Sequence, residues 1–268
     1  MNVRLPKGTI VLGLVMLFGA LFSGCSLLPE LKDETGTWSV ERIYQTGREA
    51  VNEGNYLRAI KMFESLESRY PYGPYAQQAV LQLAYANYKA GEMSAAVSAA
   101  DRFIKQYPNH ANVDYAYYVK GLANFNEDFG FLTFLANQDL SERDPKTLRE
   151  SYNAFRDLVA KFPESKYAAD STARMRFLVN ALASGEVHVA RYYYNRGAYV
   201  AAASRAQATV VTYPTAPVIE DALWVMVSAY DKLKLPDLRD DARRVLEKNF
   251  PKSAHLTGEG GPSWWKFW

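Results

Sequence analysis

The chain has one cysteine in 268 residues, Cys25, so no disulfide can form within it. Histidine is almost as scarce. His110, His188 and His255 stand far apart, with no HExxH spacing and no second cysteine to build a zinc site. His110 and His255 sit near helix-ending turns, where a surface position is expected. No GxSxG elbow, phosphate-binding loop or dinucleotide glycine motif is present. The sequence therefore reads as that of a protein without catalytic apparatus, metal or soluble cofactor.

An excess of charge is also missing. Residues 1–25 hold Arg4 and Lys7 and no acid, which leaves 29 basic residues against 29 acidic ones in the rest. A neutral body gives no electrostatic reason to expect nucleic acid as a partner. Segments that alternate as strands are few. Only one long apolar run occurs, Thr9 to Phe22, and it is too short to span a bilayer comfortably. With its basic start and the small residues Ser23 and Gly24 before Cys25, it reads as a signal peptide.

Two readings of Cys25 follow. In one, an ordinary secretory signal happens to contain a cysteine. In the other, "LFSGC" resembles a bacterial lipobox, whose cysteine receives lipid and becomes the new N-terminus. Phe22 stands where that pattern prefers leucine, with Leu21 one position earlier. Acyl chains contribute about 0.8 kcal/mol per buried methylene, so a multiply acylated Cys25 is a stable anchor. Ser26 follows where an Asp would resemble the inner-membrane retention signal, which favours the outer membrane and its periplasmic face. On this reading residues 1–24 are the signal, and residues 25–36 are the lipidated cysteine with a polar tether.

What is present is punctuation. Aromatic-proline pairs recur at Tyr70-Pro71, Tyr107-Pro108, Phe162-Pro163, Tyr213-Pro214 and Phe250-Pro251, with proline spacings of 37, 55, 51 and 37 residues. A glycine stands 17 residues before three of these prolines (Gly54, Gly91, Gly197), and five residues later comes Ala59, Ala96 or Ala202. Eight residues after the prolines stand the small residues Ala79, Ala116, Ser171 and Ala222. Proline biases the residue before it away from the α region, so each pair closes one helix, and each glycine divides a unit into two helices. Apolar residues recur at helical spacing between these marks, as in Leu81, Tyr85 and Tyr88. Helix-turn-helix units of about 34 to 37 residues are the signature of the tetratricopeptide class.

The expected fold is all-α, a tetratricopeptide-repeat superhelix of about five repeats over residues 37–252, with a concave face. The extra 18 residues of the third unit fall on an insertion at about 128–145, between its two helices. The extra 14 of the fourth are about four helical turns, so its first helix is expected to be overlong. Residues 253–268 form a Gly- and Trp-rich tail ending in "SWWKFW". It either folds back on the last repeat or touches the membrane interface, where tryptophan is favoured.

The words "RYPYGPY" (Arg69 to Tyr75), "DRFIKQYPNH", "DYAYYVKGL", "SERDP" and "YYYNRGAYVAAASR" (Tyr192 to Arg205) resemble the BamD (ComL) family. These are lipoproteins of the outer-membrane barrel assembly (BAM) machine, and the likeness runs through nearly all of the chain after the signal. It implies a scaffold that binds the POTRA domains of a BamA-like barrel subunit through its C-terminal repeats. It also implies docking of BamC- and BamE-like lipoproteins and receipt of unfolded outer-membrane proteins at the N-terminal repeats. By position, Arg205 matches the family arginine that pairs with the barrel subunit, with Arg196 and Tyr193 beside it. Another periplasmic tetratricopeptide lipoprotein, coordinating cell-wall synthesis or envelope constriction, is the competing function.

Two features carry the candidate sites. Tyr70, Pro71, Gly73, Pro74 and Tyr75, with Gln78 nearby, make an inter-repeat turn in which Pro74 suits the first position of the next helix. The second proline and tyrosine exceed what a turn needs, and a rigid aromatic notch suits an extended peptide ending in an aromatic residue. Arg196 and Arg205 read either as solvated surface or as interface arginines able to grip a carboxylate. Of Tyr192, Tyr193 and Tyr194, at most two can face one partner, because consecutive residues point around a helix.

Overall fold

The computed structural model describes residues 34–125 and 145–257. The signal, Cys25 and most of the tether, the greater part of the insertion and the "SWWKFW" end lie outside the described residues. Residues 34–39 belong to one unit, a turn closed by the Trp38 N–H donating to the Thr35 carbonyl at 2.9 Å. Residues 40–257 belong to a second, and it is helical with no strand among the described residues.

Among the described residues five helix pairs follow one another. They are α1 (Val40–Asn52) with α2 (Tyr56–Arg69), α3 (Pro74–Ala90) with α4 (Met93–Gln106), and α5 (Val113–Phe125) with α6 (Pro145–Lys161). Then come α7 (Ala168–Asn195) with α8 (Tyr199–Thr212) and α9 (Ile219–Lys232) with α10 (Pro236–Asn249), and a last turn, α11 (Ala254–Thr257). From α1 to α10 each helix packs on its neighbours in the chain, and first helices of neighbouring pairs also touch, α1 with α3, α3 with α5 and α7 with α9. Pro145, the last residue assigned to the insertion, opens α6.

The closing chemistry is the one the prolines dictate. Tyr70, Tyr107, Tyr213 and Phe250 cap their helices at φ near −130° (−129°, −130°, −128° and −132°), outside the α region because a proline follows. Each still donates its N–H to the carbonyl four residues back at 2.8–2.9 Å, so the last turn stays bonded while the chain leaves it. Inside the pairs, Gly54, Gly91 and Gly197 have φ of 74°, 84° and 77°, the left-handed turn that glycine enters without a steric penalty. The fifth pair uses Lys234, 17 residues before Pro251, at φ 60°. Lysine carries no glycine signature, so the sequence does not announce this fourth copy of the turn.

Small residues sit where helices cross. Ala59, Ala96 and Ala202, and Ala79, Ala116, Ser171 and Ala222, are all fully buried at 0% exposure. Two helical glycines serve the same end. A methyl on Gly47 of α1 would lie 2.6 Å from Cε1 of Phe63 on α2, and one on Gly121 of α5 would collide with the Phe155 ring of α6. Ser151 on α6 donates its buried hydroxyl to the Gly121 carbonyl at 2.9 Å, which satisfies both groups at that crossing.

The fourth pair carries the overlong helix the spacing predicts. Helix α7 has 28 residues, twice the 14 of α8, α9 and α10. Its start joins a core shared by the second and third pairs, where Ala168 packs with Phe103, Val113 and Leu158. Its end joins another core, where Val187 and Ala190 pack with Ala202, Ala206 and Val225.

Candidate functional site

The turn between the first two pairs is built as its residues require. Tyr70 caps α2, Gly73 takes φ 100° as the cap of α3, and Pro74 begins that helix, where its missing N–H costs little. Pro71, Gly73, Pro74 and Gln78 are exposed, while Tyr72 stands 90% exposed. The two tyrosines differ. The Arg69 guanidinium lies 5.6 Å from the Tyr70 ring centre. Tyr75 is half-buried against Tyr44, 5.3 Å between ring centres, and Tyr44 leans in turn on Phe63 at 6.1 Å. Burial, the largest influence, raises the Tyr44 hydroxyl pKa against the opposing pull of Arg48. One face of Tyr75 thus belongs to the first pair's core, and the proline-framed rim around Tyr72 is turned to solvent.

The second site lies where α6, α7 and α8 meet. A cavity of about 580 Å³ is lined by Arg149, Glu186, Tyr193, Arg205 and Tyr213, with small residues of α8 such as Ala201 and Ser204 along its floor. Glu186 is its hinge point. Its Oε2 accepts from Arg205 Nη1 at 2.7 Å, and its Oε1 faces Arg149 Nη2 at 3.6 Å. The hydrogen bond to Glu186 raises the Arg205 pKa above its already high value, with Tyr193 adding to the effect, so Arg205 is a permanent cation.

The structure brings Arg205 and Tyr193 together in this cavity and leaves Arg196 apart. Arg196 caps α7, is exposed, and lies 5.4 Å over the Tyr192 ring. Tyr192 is 50% exposed, whereas Tyr193 and Tyr194 pack on the core of the last two pairs. Sequence reasoning missed Glu186 and Arg149. Glu186 stands seven residues before Tyr193, hence two turns earlier on the same face of α7, and that spacing was a usable signal. Arg149 comes from the preceding pair, and only the fold brings it in.

The end of the last pair corrects one expectation. His255 is not a surface histidine, for its side chain is only 11% exposed. It stacks on Trp224 with ring centres 5.3 Å apart, and its Nε2 meets Asp221 Oδ1 at 2.8 Å. Arg191 of α7 holds the other oxygen of Asp221 at 2.8 Å. Burial pushes the Asp221 carboxyl pKa up, but the His255 hydrogen bond and the Arg191 charge outweigh it, and the net shift is downward. Residues 254–257 are clasped onto α9 in this way.

Successive helix pairs closed by aromatic-proline caps define a tetratricopeptide-type repeat fold. Residues 37–246 match the YfiO family, described as "Outer membrane lipoprotein", and the chain belongs to that family. It is 48% identical over 261 residues to outer membrane protein assembly factor BamD of Neisseria meningitidis serogroup A / serotype 4A, covering 95% of this chain and 98% of the relative. The protein of the same name from Xylella fastidiosa (strain Temecula1) is 39% identical, covering 91% of this chain and 83% of its own. That from Vibrio cholerae is 32% identical, covering 86% and 94%. Among solved structures, the crystal structure of MamA protein aligns over 84% of this chain and 96% of its own at 16% identity, with a TM-score of 0.39.

Proposed function

We propose that this protein is an outer membrane protein assembly factor, a lipid-anchored component of the BAM complex that works by binding other proteins rather than by catalysis. The observation that carries the reading is 48% identity, over nearly the full length of both chains, to an assembly factor of that name. Lipid on Cys25 anchors the chain to the outer membrane, with the repeats in the periplasm. Among the described residues no helix is long and apolar enough to cross a membrane.

The α6–α8 cavity is assigned to the barrel subunit. Arg205 meets an acidic residue of its POTRA region, with Tyr193 in the contact and Arg196 at its edge. BamC- and BamE-like lipoproteins dock elsewhere on the scaffold. The Tyr70–Gln78 turn receives the extended C-terminal end of an unfolded barrel protein. Fixed prolines lower the ordering entropy lost when a peptide docks, and Tyr70 and Tyr75 offer ring edges for a terminal aromatic residue.

The test is co-purification of the barrel subunit with the tagged chain. Arg205→Glu should reduce the yield sharply, because truncating or reversing one member of a desolvated charge pair costs on the order of 2–5 kcal/mol. A folded variant that retains the barrel subunit at wild-type yield overturns the assignment. For the turn, Tyr70→Ala with Tyr75→Ala should reduce crosslinking of a photoreactive peptide ending in phenylalanine. Crosslinks that map instead to residues 190–250 would show the stretch to be a turn and nothing more.

A further inference from the structure

The charges in the α6–α8 cavity do not balance. Among the described residues Arg149 and Arg205 face one carboxylate, Glu186, in a space of about 580 Å³, which leaves one positive charge there. The grip on that carboxylate is also incomplete. Arg205 reaches it through one nitrogen only, although a guanidinium can present two parallel donors to a carboxylate. The Arg149 approach of 3.6 Å is beyond hydrogen-bond length. Both arginine side chains remain open to solvent, 58% exposed for Arg149 and 41% for Arg205, whereas Glu186 is 21% exposed. Volume is left for an entering side chain, beside two guanidinium groups that are only partly engaged by Glu186.

We infer that Glu186 is a placeholder: in the free chain it occupies the position of a partner's carboxylate, and an entering aspartate or glutamate side chain displaces it to bridge Arg149 and Arg205. The occupant is an acidic side chain of a folded protein partner. Charge complementarity selects it, since one net positive charge on two arginines repels a basic residue and gains less from a neutral one than from a carboxylate. The inference rests on Arg205 as an interface residue and adds regulation of that site. Glu186 competes for the arginines, keeps them apart from stray anions and lowers the affinity for the intended partner. Arg149 lies on the second helix of the third pair and Arg205 on that of the fourth. An acidic residue that bridges them therefore binds two repeats at once, where Glu186 holds Arg205 closely and Arg149 loosely.

The experiment is titration of the detergent-solubilised, lipidated chain with the purified periplasmic region of the barrel subunit, at several salt concentrations. Removing a competitor worth a surface ion pair should tighten binding, so Glu186→Gln is expected to lower the Kd about two- to fivefold. Arg205→Gln and Arg149→Gln should each weaken it, by about tenfold for Arg205. Thermal unfolding of each variant reports folding, and Arg156→Gln, on an exposed side chain of α6 that pairs with Asp157, serves as the charge control. If Arg205→Gln weakens binding but a folded Glu186→Gln binds equally or less tightly, Glu186 is a structural support, the placeholder is wrong and the interface stands. If Glu186→Gln tightens binding while Arg149→Gln has no effect, the bridge between repeats is wrong. If neither arginine variant changes the affinity, the interface reading fails and the placeholder falls with it.

Discussion

Gly47→Ala sets two opposing terms against each other, and the structure decides the sign. Alanine is better than glycine inside a helix by about 0.8–1.0 kcal/mol, so on an open helical face the change would stabilise. Gly47 has no open face. The added methyl would stand 2.6, 2.9 and 3.1 Å from three carbons of the Phe63 ring. Carbon contacts are favourable at about 3.5–4.0 Å, so ring and methyl must separate by roughly 1 Å. Phe63 has nowhere to go, being 0% exposed and backed by Tyr44. Overpacking of this kind costs about 1–3 kcal/mol, which exceeds the propensity gain over most of that range. We expect a net loss of about 1 kcal/mol, confined to the first pair. Native-state hydrogen exchange of α1 and α2 amides is the assay, since 1.4 kcal/mol is about a tenfold change in local opening. The cycle with Phe63→Leu sharpens the test. The smaller side chain alone leaves a void, and the Gly47→Ala methyl then fills part of it, so the two changes should couple favourably by about 1 kcal/mol. Faster exchange with zero coupling would place the damage elsewhere, and unchanged or slower exchange for Gly47→Ala alone would refute the packing argument.

Lys234→Gly should stabilise the last pair by about 1 kcal/mol, because the left-handed turn at φ 60° strains a side chain that glycine lacks; urea unfolding measures it, and a loss of stability would count against the strain. Asp221 has a depressed folded pKa, so its contribution is present above its unfolded value of about 3.9 and is lost as pH falls through the folded one. His255→Ala should raise the Asp221 carboxyl pKa, read by carbon-detected NMR titration, and an unmoved Asp221 titration would sink the clasp. Cys25→Ser should leave the chain unprocessed or released from the membrane, and unchanged fractionation together with unchanged electrophoretic mobility would exclude lipid at that position.

Much of the fold was legible because its signals are local. An aromatic-proline pair constrains its own φ, a glycine opens its own turn, and a buried alanine records the helix that crosses it, so spacing alone located the helix pairs and the doubled α7. Lys234 escaped because it makes the same turn under strain, without the residue type that advertises it. The cavity was half legible. Arg205 and Tyr193 were recognisable by resemblance, but Arg149 lies 37 residues before Glu186, across a helix boundary, and no periodicity links the two. His255 was misread for the same reason, since Trp224 and Asp221, which bury it, lie more than 30 residues away.

The length of α7 has a consequence for phase. Its 14 residues beyond an ordinary partner helix correspond to a rise of about 21 Å and to roughly 40° less than four full rotations. A rod extended by nearly whole rotations keeps the same azimuth dry from end to end, and Ala168 and Leu182, 14 positions apart, are both buried. Removing 14 residues would therefore return the later repeats to nearly their original orientation, drawn in along the axis. Removing 12 would swing them by about 120° and turn the dry face of one half toward water. Insertions and deletions in this helix are thus restricted to a few lengths, whatever residues they contain.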